Sequence, residues 1–232
     1  MLPDKIYKGS CIMFSIAIDG PAGAGKSSVA KAAAKQLGFI YVDTGALYRT
    51  VALHMLRHGI EPSDAAAVEA ALPSVSVDLR HEADGQHVLL CGEDVTDAIR
   101  TPEISMAASG CSQIPAVRKF LFSLQTGMAE RYNVLMDGRD IGTVVLPNAQ
   151  VKIFLTASAQ ERARRRCLEM EQKGTPVDFD TTLREIQQRD EQDMNRETAP
   201  LKPAEDSVLL DTSNLDFEGS VARLLEIVRE RM

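Results

Sequence analysis

Eight residues carry the clearest chemistry in the chain: Gly20-Pro21-Ala22-Gly23-Ala24-Gly25-Lys26-Ser27 reads G-x-x-x-x-G-K-S. That spacing builds a loop that cradles phosphates. Glycines let successive backbone N–H groups curl around phosphate oxygens with no Cβ in the way. A helix opening just after the loop adds further donors and a partial positive charge. In such a loop Lys26 reaches the outer phosphates of a nucleoside triphosphate, and the Ser27 hydroxyl holds Mg²⁺. The competing reading is a plain glycine turn between strand and helix.

Other stretches could complete a site for a transferred phosphate. Asp137-Gly138-Arg139-Asp140 follows an apolar run. A carboxylate in that position can serve the Mg²⁺ of a phosphate loop, and Arg139 becomes a phosphate or charge-stabilising donor. The bland alternative is a polar turn. Arg49 lies one to two turns into a helix that starts near Asp43 or Thr44, so it either points back at an anion or sits solvated. Arg162, Arg165 and Arg166 share one helix face at three- and four-residue spacing. Such density suits bidentate phosphate contacts, although a charge run is usually a solvated face. Arg189, Asp193 and Arg196 repeat at helical spacing, as an ion ladder or as a polar recognition surface. His54 and His58 are four apart, a spacing that can bind metal. They lack the glutamate of H-E-x-x-H and an evident third ligand, so surface histidines are the expectation.

The elements that must position these residues alternate. Apolar runs at Phe14–Asp19, Phe39–Val42, Asn133–Asp137, Val151–Leu155 and Ser207–Asp211 predict five buried strands. Helices are expected over Ser28–Leu37 with Gly38 as its end, from Asp43 or Thr44 through Leu56, and over Phe217–Arg231 with Val221, Leu224, Leu225 and Val228 inward. The pattern predicts an α/β fold, a five-stranded parallel sheet covered on both faces. Two excursions interrupt it. Val75, Val77 and Leu79 alternate with polar residues, a turn is expected at Ala83–Gln86, His87–Leu90 returns, and Gly92–Val95 reads as another turn. This small antiparallel unit spans about 74–110. A helical stretch runs from roughly Pro102 to Arg131, broken in two at Pro115. The second excursion, about 158–190, is a helix capped by Ser158 with Glu161 as its returning acid. It ends at Gly174-Thr175-Pro176, and a second helix begins at Asp180 or Thr181. Pro200, Lys202 and Pro203 read as a rigid linker. Phosphoryl transfer to a small acceptor competes with transfer to water, so two polar excursions beside a phosphate loop suggest a site that closes.

The chain has 232 residues, 44% of them hydrophobic, enough for one core with inserts. A net charge of −7 argues against a general nucleic-acid binder, but local basic clusters on an acidic protein can still bind small anions. There is no apolar run long enough to span a membrane. Residues 1–13 lack the apolar region of a secretory signal and read as a loose leader, with Met13 as an alternative start. Cys11, Cys91, Cys111 and Cys167 are scattered, which suggests reduced thiols and a cytoplasmic protein.

Taken together, these stretches resemble the bacterial cytidylate kinases. The resemblance is carried by I-D-G-P-A-G-A-G-K-S, by D-T-G-A-L-Y-R at 43–49 and by G-E-D-V-T-D-A-I-R at 92–100. It continues in D-G-R-D-I-G-T-V-V-L-P at 137–147, V-K-I-F-L-T-A-S at 151–158 and R-D-E-Q-D-M-N-R at 189–196. It covers residues 14 to 230. It implies one phosphate-loop kinase domain over 14–232, with the 74–110 insert on the monophosphate side and a helical lid at 158–190. It further implies ATP-dependent phosphorylation of CMP and dCMP with Mg²⁺, by a monomer. Gly20, Pro21, Ala22, Gly23, Ala24, Gly25, Lys26, Ser27 and Ser28 would hold ATP. Thr44, Arg49, Ser109, Arg118, Asp137, Gly138, Arg139, Asp140, Arg189, Asp193 and Arg196 would hold the acceptor. Of these, Ser109, Arg118 and Asp193 stand where cytosine and ribose are recognised, and Arg49, Arg139 and Arg189 near the acceptor phosphate. Lys26, Arg139, Arg162, Arg165 and Arg166 would be catalytic, the last three from the lid over ATP. Ser27 would hold the metal, with phosphates and Asp137 through water. Two rival readings are a phosphate-loop kinase for UMP, AMP or shikimate, and a GTP-binding switch. The switch would normally carry an N-K-x-D stretch, which this sequence lacks.

Overall fold

The computed structural model describes residues 13–82 and 85–232. The leader up to residue 12 and residues 83–84 of the expected Ala83–Gln86 turn lie outside the described residues. Five strands form one parallel sheet: β1 (Ser15–Asp19), β2 (Ile40–Asp43), β6 (Val134–Gly138), β7 (Val151–Thr156) and β8 (Val208–Asp211). Their spatial order is β2-β6-β1-β7-β8. Every residue of β1 and β6 is buried, as continuous apolar runs covered on both faces should be.

Helices cover both faces. On one side, Val29, Ala30 and Ala33 of α1 (Lys26–Leu37) pack with Val221, Leu224 and Leu225 of α8 (Phe217–Arg229) against Ile16, Ile18 and Ile153. On the other, Met128 of α5 (Pro115–Arg131) meets Ala17, Val42 and Met136. α1 starts two residues earlier than expected, at Lys26, because Gly25 takes the cap position at φ 82. Its far end is closed by Gly38 at φ 69.

The 74–110 excursion is a three-stranded antiparallel sheet followed by a helix. β3 (Val77–Glu82) pairs with β4 (Gly85–Leu90), and β4 with β5 (Glu93–Asp94). The Gly92–Val95 segment therefore contains a two-residue edge strand where only a turn is expected. A helix unpredicted from sequence, α3 (Ala65–Ala71), precedes the sheet, with the Asp64 carboxylate accepting from the Ala67 N–H at its start. α4 (Pro102–Cys111) packs on α2 (Thr44–Arg57), and Pro115 does open a new helix, α5. Val88, Leu90, Ile99, Ile104 and Leu121 build a core of their own with Leu47 and Val51 of α2.

The 158–190 excursion is an α-hairpin, α6 (Ala159–Gln172) against α7 (Phe179–Asn195). Ser158 caps α6 by accepting from Glu161 N at 3.2 Å. The Glu161 carboxylate does not return to the cap; it accepts from Arg165 Nε at 3.0 Å. α7 opens at Phe179, slightly before the expected start, capped by Asp178. The Pro200–Pro203 segment is anchored by buried Leu201, whose N–H donates to the Asp193 carbonyl at 2.8 Å. His54 is buried, contrary to the expectation of a surface residue. It stacks on His58 with ring centroids 4.1 Å apart and meets Ser74 Oγ through Nε2 at 3.1 Å. Among the described residues no cluster of three metal-binding side chains exists.

Candidate active site

Parallel-strand register brings three aspartates to one end of the sheet. Asp43 of β2 lies opposite Asp137 of β6, and Asp19 of β1 opposite Gly138. These are the carboxyl ends of the strands, where open α/β sheets bind ligands. The phosphate loop leaves β1 at the same end. Gly20 sits at φ 152, and a Cβ there would stand 1.9 Å from the Leu155 carbonyl oxygen, so only glycine lets the loop leave the strand.

Lys26 is buried and its Nζ donates to the Pro21 carbonyl at 2.8 Å, which folds the side chain back over the loop. Burial foremost, and then the Arg139 guanidinium, pull its ammonium down to about 7. An arriving polyphosphate favours the protonated form, so charge is drawn to the place where it is needed. Ser27 Oγ donates to Asp137 Oδ2 at 2.8 Å, and Tyr41 Oη to Oδ1 at 3.0 Å. Burial and the neighbouring Asp43 raise the Asp137 carboxyl to about 6. A hydroxyl beside a carboxylate is a hard-oxygen pair, the donor chemistry Mg²⁺ takes alongside phosphates and water.

Asp19 organises the loop after β6. Its two oxygens each accept a backbone N–H, from Ile141 and from Gly142, at 2.7 Å. That pins the wide helical turn Ile141–Val145 and with it Arg139 and Asp140. Thr44 Oγ1 ties α2 to β6 by donating to the Asp137 carbonyl at 2.7 Å. A Cβ on Gly138 would meet that hydroxyl at 2.7 Å.

Across these strand ends stand the arginines, each tied to an aspartate. Arg49 Nη2 and Arg100 Nη1 both donate to Asp43 Oδ2 at 2.9 Å. Arg139 Nε donates to Asp193 Oδ2 at 2.8 Å. Arg118 pairs with Asp140, whose other oxygen is 3.7 Å from Arg196 Nη2. Burial raises the Asp43 and Asp193 carboxyls, but the guanidiniums beside them outweigh it and hold both below the usual range. Arg189 Nε, like Arg49 Nε and Arg196 Nη2, is buried with no hydrogen-bond partner among the described residues, and burial and Arg139 lower the Arg189 pKa. Ser109 and Arg196 line a cavity of about 400 Å³ between α4 and α7, with Met106, Gln113, Gln192 and Asn195.

The lid arginines divide. Arg162 is buried, donates to the carbonyls of Ala157 and Ala22 at 2.9 Å each, and forks onto Asp190 of α7. It thus joins the phosphate loop to the helix carrying Arg189 and Asp193. Arg165 Nη2 donates to the Thr212 carbonyl at 2.6 Å, and its Nη1 comes near Gly25. Arg166 points away, exposed and paired with Glu169 at 3.3 Å. Asp19, Tyr41, Arg100 and Asp190 have no site role in the sequence reading, and Asp43 figures there only at the start of α2, although 43–49 and 92–100 are among the stretches that carry the resemblance.

A parallel sheet whose first strand feeds a phosphate loop, with a buried lysine and an arc of guanidiniums facing it, defines a phosphate-loop phosphotransferase. Within that class, the family model for cytidylate kinase matches residues 16–230. A cytidylate kinase of Caldicellulosiruptor bescii is 51% identical over 213 residues, 92% of this chain and 94% of that protein. One of Caldanaerobacter subterraneus is 51% identical over 215 residues, 93% and 94% of the two chains. The chain belongs to the cytidylate kinase family and is a kinase of nucleoside monophosphates. An uncharacterized protein of Eubacterium ventriosum shares the fold at TM-score 0.55 and 16% identity, covering 94% of this chain and 99% of its own.

Proposed function

We propose that this kinase transfers the γ-phosphoryl group of ATP to CMP and dCMP. The observation that carries the reading is the acceptor-side pairing. Asp140 is held by Arg118 and lies near Arg196, which lines the cavity with Ser109. Cytosine offers an amine donor beside ring acceptors. A fixed carboxylate flanked by guanidiniums complements that edge, whereas uracil would turn a carbonyl toward the carboxylate. We read residues 14–232 as one domain, with the 74–110 insert over the monophosphate and the 158–190 hairpin over ATP.

In this mechanism the phosphate loop and Lys26 grip the β- and γ-phosphates. Arg49, Arg139 and Arg189 hold the acceptor phosphate in line. An anionic oxygen of CMP forms the new P–O bond as the β–γ bridging bond breaks, and ADP leaves with the electron pair. The attacking oxygen carries no proton that must be removed, so no strong general base is required. Positioning and charge neutralisation by Lys26, Arg139 and the lid arginines Arg162 and Arg165 supply the acceleration. Ser27, with Asp137 behind it, would hold Mg²⁺, which neutralises charge on the phosphates when bound.

The test is ADP release measured against CMP, dCMP, UMP, AMP and shikimate. CMP and dCMP should lead in kcat/KM; a lead for AMP or shikimate would refute the assignment.

A further inference from the structure

Arg49 stands beside an aspartate that could silence it. A carboxylate 2.9 Å from a guanidinium competes with any phosphate for the same donors. Asp43 cannot simply be dispensed with, because Oδ1 caps α2 by accepting from Ala46 N at 2.9 Å. The insert supplies the counterweight. Arg100, in the turn after β5, donates from Nη1 to the same Oδ2 that holds Arg49, also at 2.9 Å. From β4, Gln86 Oε1 accepts the backbone N–H of Asp43 at 3.0 Å. Asp43 is thus gripped from the core by Arg49 and from the insert by Arg100 and Gln86. The three charged groups sum to one positive charge; without Arg100 they sum to zero.

We infer that Arg100 is a positioning residue for the acceptor phosphate: it neutralises Asp43 so that Arg49 stays free to bind an anion. The inference rests on Arg49 facing the acceptor phosphate, as read above. It makes acceptor affinity depend on where the insert sits. With Arg100 docked on Asp43, Arg49 is a phosphate donor. With the insert swung away, Arg49 is neutralised by Asp43. Arg100, Gln86 and Asp43 line a cavity of about 190 Å³ with Ser27, Lys31 and Tyr41, which sets the junction beside the phosphate loop. An interaction made alike with ground state and transition state changes KM and leaves kcat alone.

The experiment uses the full chain and whichever monophosphate the wild type phosphorylates best, so a wrong acceptor in the acceptor panel does not blur the result. Arg100→Gln should raise KM for that monophosphate about fivefold, in keeping with the range for partly exposed ion pairs. KM for ATP, kcat and the thermal midpoint should stay near wild type, and Arg100→Lys should recover most of the loss. In an Asp43→Asn background, adding Arg100→Gln should change the acceptor KM less than twofold, because the carboxylate to be neutralised is gone. An unchanged acceptor KM in Arg100→Gln overturns the inference. So does an equal rise in both KM values with a lowered midpoint, which would mark a loosened insert. Should Asp43→Asn fail to fold, the Arg100→Gln and Arg100→Lys pair decides alone.

Discussion

Replacing Asp190 by Asn separates what Arg162 does for the fold from what it does for the reaction. The Arg162 side chain is only 4% exposed and Asp190 15%. Among the described residues, the fork between them is the only charge compensation among the guanidinium's hydrogen-bond partners, the others being two carbonyls. Breaking a buried ion pair from one side costs roughly 3–5 kcal/mol, because the remaining charge is stranded. The surviving carbonyl bonds and the partial exposure of Asp190 reduce this to about 2–3 kcal/mol. In a chain of this size 1 kcal/mol moves the midpoint by roughly 2–4 °C, so Asp190→Asn should melt about 5–10 °C below wild type. Differential scanning calorimetry of the ligand-free protein gives that number. A second variant, Arg162→Met with Asp190→Leu, replaces the pair by apolar side chains of similar bulk. Such replacements are often neutral or stabilising, so the midpoint should return to within a few degrees of wild type. Turnover should not return, because the guanidinium proposed for the transferring phosphoryl is gone. If Asp190→Asn melts like wild type, the pair does not lock α6 to α7. If the double variant turns over normally, Arg162 has no part in the chemistry.

Lys26→Ala should lower kcat by about two to four orders of magnitude, the range for removing a preorganised donor at a developing charge, with an unchanged far-ultraviolet circular dichroism spectrum; near-normal turnover sinks its role. The pH dependence of kcat/KM should show an acid limb near pH 6, where Asp137, raised to about 6, takes up its proton and loses the charge that faces the metal site. Tyr41→Phe removes a hydrogen bond that favours the ionised carboxylate, so the limb should move to higher pH; a move downward contradicts the assignment. In the ligand-free protein the raised value means that Asp137 favours the fold as pH falls below about 6 and that this contribution is lost as pH rises through it. Asp193→Ala should raise KM for CMP far more than KM for ATP, because Asp193 holds Arg139 on the acceptor side; a change confined to ATP reverses the two sides of the site. Arg166→Ala should alter kcat/KM for either substrate less than twofold, since this side chain is exposed and tied to Glu169; a tenfold loss would place it at the phosphates.

Local chemistry was legible wherever a short pattern determines a short structure. The apolar runs before Asp19, Asp43 and Asp137 are strands, Gly38 ends α1, and Pro115 begins a helix. What a sequence pattern does not contain is the distance between residues far apart in the chain. The strand order that sets Asp43 beside Asp137 follows from crossovers. Pairs such as Arg100 with Asp43, 57 residues apart, and Arg162 with Asp190, 28 apart, follow from that order. Arg162, Arg165 and Arg166 look equivalent on one helix face, yet only α7 and the phosphate loop decide which is buried. α3 is too short for periodicity to show, with Val68 alone buried. β5 is two exposed residues whose existence depends on β4 beside them.

The pairing of arginines with aspartates explains how a chain of net charge −7 can take up two polyanions. Isolated buried guanidiniums would repel one another and be costly to desolvate. Here Asp43, Asp140, Asp190 and Asp193 hold Arg49, Arg118, Arg162 and Arg139 in fixed orientations, nearly neutral pair by pair. Donors so held reorganise little when charge develops before them. What remains for an anion is the surplus: Lys26, the one positive charge that Arg100 on Asp43 leaves to Arg49, and Arg189, whose Nε is buried without a hydrogen-bond partner among the described residues. The surplus comes from three different parts, the phosphate loop, the insert and the α6–α7 hairpin. A triphosphate meets one of these parts in Lys26. We expect the full positive field to be complete only when the acceptor draws insert and hairpin together over the loop, so that chemistry waits for both substrates and water is excluded when it begins.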